Sequence, residues 1–117
     1  MPKQLVCISC DLNGLKVTND TLGHLAGDEL IKGAAECLSK HFPDICRTGG
    51  DEFVAMLAIS RDEYEKIRRE LNSTIANWHG KLVPELSISI GSASSEEFPD
   101  FSLEELTKTA DEKSINS

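Results

Sequence analysis

The sequence predicts an α+β fold, a ferredoxin-like sandwich with helices packed on a central, mostly antiparallel sheet. Three observations predict it. Apolar patterning runs in the order β-α-α-β-β-α-β-α. Two strand-like stretches are joined by the short turn Gly49-Gly50-Asp51-Glu52, which makes them a hairpin. The helical stretches carry apolar residues on one stripe, as helices lying on a sheet require.

Each element has a local reason. Residues 5–10 are short, apolar and β-branched, as a buried strand requires. Asp11-Leu12-Asn13-Gly14 then supplies turn chemistry. Residues 15–22 suit a short helix, stopped near Gly23. From Asp28 to about Lys40, the positions Leu30, Ile31, Ala34, Ala35 and Leu38 form one helical stripe, and Pro43 ends the stretch. Residues 45–48 and 53–59 read as the hairpin strands. The paired glycines between them suit backbone angles with φ > 0. Ser60 and Glu63 form a capping box, with Ile59 and Tyr64 as its hydrophobic staple. Tyr64, Ile67, Leu71, Ile75 and Trp78 mark that helix's buried stripe. Leu86, Ile88 and Ile90 alternate with serines in a half-buried strand expected to stop at Gly91. Ser102 and Glu105 form a second capping box, stapled by Phe101 and Leu106, so a last helix starts near Leu103.

The chain has 117 residues, the size of one domain, and no repeat, linker or low-complexity stretch divides it, so residues 1–117 read as a single domain. Its hydrophobic fraction of 39% supports one modest core. The longest apolar run, residues 53–59, is far short of a membrane span, and the expected compartment is the cytoplasm. A net charge of −8 argues against nucleic acid or an anionic membrane as partner. An acidic chain that binds a polyphosphate needs metal ions to carry positive charge. Four cysteines fit reduced thiols. Cys7 and Cys10 lie three apart in a strand, so their sulfurs point to opposite faces and share no metal. Cys37 and Cys46 read as small apolar fillers.

Acidic residues mark the candidate site. Asp11 ends the first strand, and Asp51 and Glu52 lie in the hairpin turn. If that strand pairs beside the hairpin, the carboxylates converge at one sheet edge. Such hard oxygen ligands suit Mg²⁺ and phosphoryl transfer. The alternative is that Asp11 and Asp51 are turn residues and Glu52 a solvated charge.

The residues themselves resemble a known family. Arg47-Thr48-Gly49-Gly50-Asp51-Glu52-Phe53 contains the signature GGDEF, preceded by an arginine at the position that family favours. Residues 11–20, followed by Gly23-His24 and Gly27-Asp28, resemble its upstream half. Ser87-Ile88-Ser89-Ile90-Gly91 resembles its later strand, and Ala110-Asp111-Glu112-Lys113 its last helix. The chain is similar to diguanylate cyclase catalytic (GGDEF) domains, whose palm-type sandwich agrees with the element order.

The resemblance implies condensation of two GTP molecules to cyclic di-GMP across a pair of facing domains. It implies Mg²⁺ or Mn²⁺ held by Asp11, Asp51 and the Leu12 carbonyl. Asp51 is the implied activator of the attacking 3′-hydroxyl, supported by Glu52. Guanine falls to Asn19 and Asp28, whose acceptors and donors suit its N1–H and N2–H₂ edge. The phosphates fall to Gly14, Leu15 and Lys16, and close backbone approach to Gly49 and Gly50. His24 reads as a structural histidine. The implied partners are a second GGDEF protomer and an attached sensory domain outside this chain. The alternative function is a weak or inactive GGDEF domain serving as a GTP-binding or protein-interaction module.

The sequence also departs from the family pattern. No Thr-Gly-Leu-x-Asn-Arg stretch or helix precedes residue 5, and the last helix stops at Ser117 before the family's Lys and Arg, so both ends look truncated. Asn13 stands where many members have Asp. The product-inhibition motif Arg-x-x-Asp is replaced by Lys40-His41-Phe42-Pro43-Asp44, so no inhibitory product site is expected.

Overall fold

The computed structural model describes residues 3–115. Its elements are β1 (Gln4–Leu12), α1 (Leu15–Leu22), α2 (His24–His41), β2 (Cys46–Arg47), β3 (Glu52–Ile59), α3 (Arg61–Ala76), β4 (Ile88–Ser94) and α4 (Leu103–Ile115). This is the expected element order and fold class. The sheet runs β2-β3-β1-β4, and every neighbouring pair is antiparallel. Asn116 and Ser117, where the last helix was expected to run out, lie outside the described residues.

Strand alternation splits the core between two faces. Val6, Ile8, Cys10 and Leu12 of β1 face one side with Phe53, Ala55 and Ile90. Leu30, Ala34 and Leu38 of α2 and Leu71 of α3 close over them. On the other side Cys7 packs with Ala93 of β4 and with Leu106 and Ala110 of α4. Cys7 and Cys10 therefore diverge, as their spacing requires. Cys37 is buried but Cys46 is exposed, which corrects its reading as a core filler. Its strand is only two residues long and sits at the sheet edge, where nothing packs over it.

The capping box at Ser102 forms in full, and at Ser60 the N-cap bond forms while the glutamate meets the serine hydroxyl rather than its N–H. The Glu63 N–H donates to Ser60 Oγ, and the Ser60 hydroxyl reaches Glu63 Oε1. The Ser102 N–H donates to Glu105 Oε1, and the Glu105 N–H returns the bond to Ser102 Oγ. Of the boundaries that differ from expectation, three bear on packing. The second helix starts at His24, a turn before Asp28, and its added Ala26 joins the buried stripe. Helix α3 ends at Ala76, so Trp78 packs from beyond it against Gly33 of α2.

The third difference concerns Gly91, where β4 does not stop but continues to Ser94. Gly91 pairs with Ser9 and faces α4. A Cβ there would overlap the backbone of Ala110 and Ser114. The glycine is thus a contact residue, and it sets how closely α4 lies on the sheet.

A carboxylate ties α2 to the loop before β4. Glu29 accepts the N–H groups of Lys81, Leu82 and Val83 at 3.0, 2.9 and 2.9 Å. Desolvation pushes its pKa up, but the three backbone bonds and the Lys81 charge outweigh it and hold the carboxyl below its usual range.

Gly91→Ala is expected to destabilise the fold by about 1–3 kcal/mol, since the obstacle is backbone and cannot swing away. Urea unfolding measures this, and a stability equal to the parent's would refute the contact. For Glu29 the depressed pKa fixes the sign. Its stabilisation is present above the unfolded pKa and is lost as pH falls through the folded one. Glu29→Gln should therefore lower Tm at neutral pH, with the difference from the parent shrinking as the buffer is acidified below the ordinary glutamate range.

Candidate active site

The site grows from the end of β1. Asp11 lies directly across from Glu52 of β3 and from Ser89 of β4. Helix α4 crosses the same end of the sheet and adds Asp111. Ligand oxygens of Asp11, Glu52 and Asp111 lie within 4.8 Å of one another, and all three residues are half-buried. A cavity of about 410 Å³ opens beside them, lined also by Leu12, Asn13, Gly14, Asp51, Ser89 and Ser114.

Each carboxylate is held by a hydroxyl. Ser114 donates to Asp11 Oδ2 at 2.6 Å, Thr48 to Glu52 Oε1 at 3.0 Å, and Ser9 to Asp111 Oδ1 at 3.2 Å. Among the described residues the ion pairs are Arg61–Glu65 and Lys113–Glu97, and neither touches the cluster. Three hard oxygen donors without a basic partner fit a divalent cation such as Mg²⁺ or Mn²⁺.

The turn at 49–52 is braced from behind. Arg47 Nε donates to the carbonyls of Gly49 and Gly50 at 3.0 and 3.2 Å, and its Nη2 reaches Gly50 at 2.9 Å. The Leu12 N–H donates to the Asp51 carbonyl at 2.7 Å, which ties the turn to β1. The expected positive φ at Gly49 and Gly50 is not found. Among the described residues only Gly14 and Gly23 adopt it. The turn needs no left-handed residue because the Arg47 guanidinium and the ladder bond from Thr48 N–H to the Glu52 carbonyl shape it. What the glycines provide is a bare surface: a Cβ at Gly50 would meet nothing within 4 Å.

The other candidate residues lie around α1 and α2. Gly14 takes φ 77° at the start of α1, whose first turn has no side-chain cap and no acidic residue. Leu15 and Lys16 follow in that turn, with Lys16 exposed. Asn19 is half-buried, and its amide rests against Gly27, where any side chain would overlap it. That contact sets Asn19 next to the residue preceding Asp28. Asp28 is exposed and lines a second cavity of about 640 Å³, with Leu25, Trp78 and Lys81.

Of the residues singled out from sequence, the structure thus gathers Asp11, Leu12, Gly14, Asp51 and Glu52 around one cavity. Asp51 lines that cavity but lies outside the three-carboxylate cluster. Asn19, Asp28, Leu15, Lys16, Gly49 and Gly50 are not among its lining residues, and Asp28 lines the second cavity instead. Sequence reasoning missed Asp111, Ser114, Ser9 and Thr48 as site residues. The available signals were Ser9, polar in an apolar strand two residues before Asp11, and the i, i+3 spacing of Asp111 and Ser114 beside the buried Ala110.

Comparison with known proteins agrees with this geometry. Residues 1–116 match the family described as Diguanylate cyclase, GGDEF domain. The signaling protein YkoW of Bacillus subtilis is 54% identical over 50 residues, which are 40% of this chain and 6% of that protein. The chain therefore corresponds to a small part of that relative's length. A sensory box/GGDEF family protein from Caulobacter crescentus superposes with a TM-score of 0.78 at 26% identity, over 97% of this chain and 78% of that one. A microbial GGDEF domain that interacts with cyclic di-GMP superposes with a TM-score of 0.76 at 30% identity, over 97% of this chain and 72% of that one. With the signature turn, the carboxylates and the fold all in register, the chain belongs to the GGDEF domain family of diguanylate cyclases.

Proposed function

We propose that the chain is the catalytic domain of a diguanylate cyclase, which converts two GTP molecules to cyclic di-GMP and two pyrophosphates. The observation that carries this reading is the meeting of Asp11, Glu52 and Asp111 beside the glycine turn and the uncapped start of α1. Such an arrangement offers oxygen ligands next to free backbone donors, as a nucleotide triphosphate with its metal requires.

In this reading each protomer holds one GTP and faces a second protomer. The 3′-oxygen of one GTP attacks the α-phosphorus of the other. A phosphorus–oxygen bond forms, the bond to pyrophosphate breaks, and pyrophosphate leaves with the electron pair. Asp51 takes the 3′-hydroxyl proton, a role open to an exposed carboxylate on the rim of the cavity. Asp11, Asp51 and the Leu12 carbonyl, with Glu52 and Asp111 beside them, would hold Mg²⁺ or Mn²⁺. The ion supplies neutralisation of phosphate charge and activation of the attacking hydroxyl. Gly14 and Leu15 present main-chain N–H groups to the β- and γ-phosphates, and Lys16 adds a point charge. Asn19 and Asp28 pair with the guanine edge and reject adenine, which would leave their polar groups unmatched.

The full protein's partners follow the same reading: a second GGDEF protomer and an attached sensory domain. Among the described residues no helix is long and apolar enough to cross a membrane. The segment at 40–44 carries no inhibitory product site in this reading, because Lys40 replaces the arginine and Phe42 is turned into the core.

The chain incubated with GTP and Mg²⁺ should yield cyclic di-GMP, separated by chromatography. Asp51→Ala should lower the rate by about 10²–10⁴-fold, the usual span for a lost general base. GTP-dependent thermal stabilisation without product would instead establish a GTP-binding module. An unchanged rate in Asp51→Ala would remove that residue from the chemistry. Asp28→Ala should raise KM for GTP by about tenfold or more and leave kcat nearly unchanged, since the contact is made before and during reaction alike. An equal loss in kcat would place Asp28 in the reacting centre instead.

A further inference from the structure

We propose that Ser114 is a positioning residue that makes the cation site selective for Mg²⁺ or Mn²⁺ over Ca²⁺. It would do so by holding one oxygen of Asp11, so that Asp11 ligates through the other alone. The proposal rests on the reading above, that a hard divalent cation occupies the carboxylate cluster.

Ser114 lies in the last turn of α4 and is 1% exposed. Its hydroxyl has one proton, and both Asp11 Oδ2, at 2.6 Å, and the Asp111 carbonyl, at 2.7 Å, lie within its reach. The second contact is the ordinary bond of a helical serine to the preceding turn. The first is not, because Asp11 is 103 residues away in sequence. A carboxylate is the stronger acceptor, and 2.6 Å is the length of an O–H···O⁻ bond. The proton therefore belongs to Asp11, and the carbonyl fixes the rotamer that delivers it.

The three hydroxyl–carboxylate bonds of the site are not equivalent. Thr48 is exposed, and the Ser9 bond is 3.2 Å long. Only the Ser114 bond is both short and carried by a buried donor. Its position is built into the fold, since the bare face of Gly91 lets the α4 backbone at Ser114 approach the sheet. The docked helix and the Asp111 carbonyl hold the hydroxyl on the Asp11 side.

The consequence is a choice of coordination mode. Ca²⁺ takes six to eight oxygens and readily uses both oxygens of one carboxylate. Mg²⁺ takes six at near-octahedral angles and uses carboxylate oxygens singly. A buried donor on Oδ2 draws charge from that oxygen and opposes the two-oxygen mode. It orients Asp11 for the cation that needs one oxygen, as outer hydrogen bonds orient ligands at other metal sites.

The test is Mn²⁺ binding to the whole chain, followed by the spectroscopic signal of free Mn²⁺ and by displacement with Mg²⁺ or Ca²⁺. Ser114→Ala should narrow the preference for Mg²⁺ over Ca²⁺ by about tenfold. Ser114→Cys keeps a slightly larger side chain there with only a weak donor and should behave like Ser114→Ala. Circular dichroism verifies folding, and if Ser114→Ala does not fold, Ser114→Cys decides. A parent-like preference in Ser114→Ala, or its restoration by cysteine, would overturn the proposal, because packing and not the hydrogen bond would then be responsible. No Mn²⁺ binding by the parent chain would overturn the cation reading of the site itself, a failure distinct from that of Ser114.

Discussion

The register of β1 between its two antiparallel neighbours is the constraint on which the rest depends. Side chains alternate along a strand, so a slip of one residue moves every one to the opposite face. Val6, Ile8, Cys10 and Leu12 all face the core under α2 and α3, and burying them excludes such a slip. With that register fixed, Asp11 must point to the other face, across from Glu52 and Ser89. Burial of apolar residues on one side of the sheet thus decides where a charged residue stands on the other.

The second face is completed by α4. Leu106 and Ala110 pack on Cys7 and Ala93, and Gly91 leaves room for the helix backbone to come close. Asp111 and Ser114 reach Asp11 only because that docking is tight. The thiol next to the site in sequence takes no part. Burial pushes the Cys10 pKa up to about 12, the Arg68 charge opposing and the Asp11 charge adding to it. Cys10 therefore stays protonated on the far face, and the carboxylate cluster presents oxygen atoms alone.

What could be read from sequence was local. Both helix N-caps, the bounds of α1 and the presence of a hairpin at 49–52 follow from residues close together in the chain. Asp11 and Glu52 were also legible, since a strand end and a turn are marked by neighbouring residues. Most of the failures involve contacts between distant segments, and the turn at Gly49 and Gly50 is the local exception. Gly91 looked like a strand terminator because nothing beside it in sequence mentions α4. Cys46 looked like a filler because the two-residue length of β2 is set by its partner. Gly49 and Gly50 were expected to need φ > 0, but the side chain of Arg47 shapes their turn. Asp111 was quoted as part of a family block, yet its meeting with Asp11 depends on a helix docked a hundred residues later.

The way the carboxylates are held is itself an argument about what they hold. At an effective dielectric near 20, two charges about 4–5 Å apart repel by about 3–4 kcal/mol. A hydrogen bond to a charged group returns about 1.5–3 kcal/mol. Hydroxyls from Ser114, Thr48 and Ser9 therefore orient the cluster without cancelling its repulsion. Lysine or arginine in their place would cancel it, and would also occupy the position of any incoming cation. A chain with a net charge of −8 that keeps three carboxylates together on neutral donors retains an unmet demand for positive charge at one point. In the proposed reading a divalent ion carrying a polyphosphate answers that demand, which would let an acidic chain hold an anion.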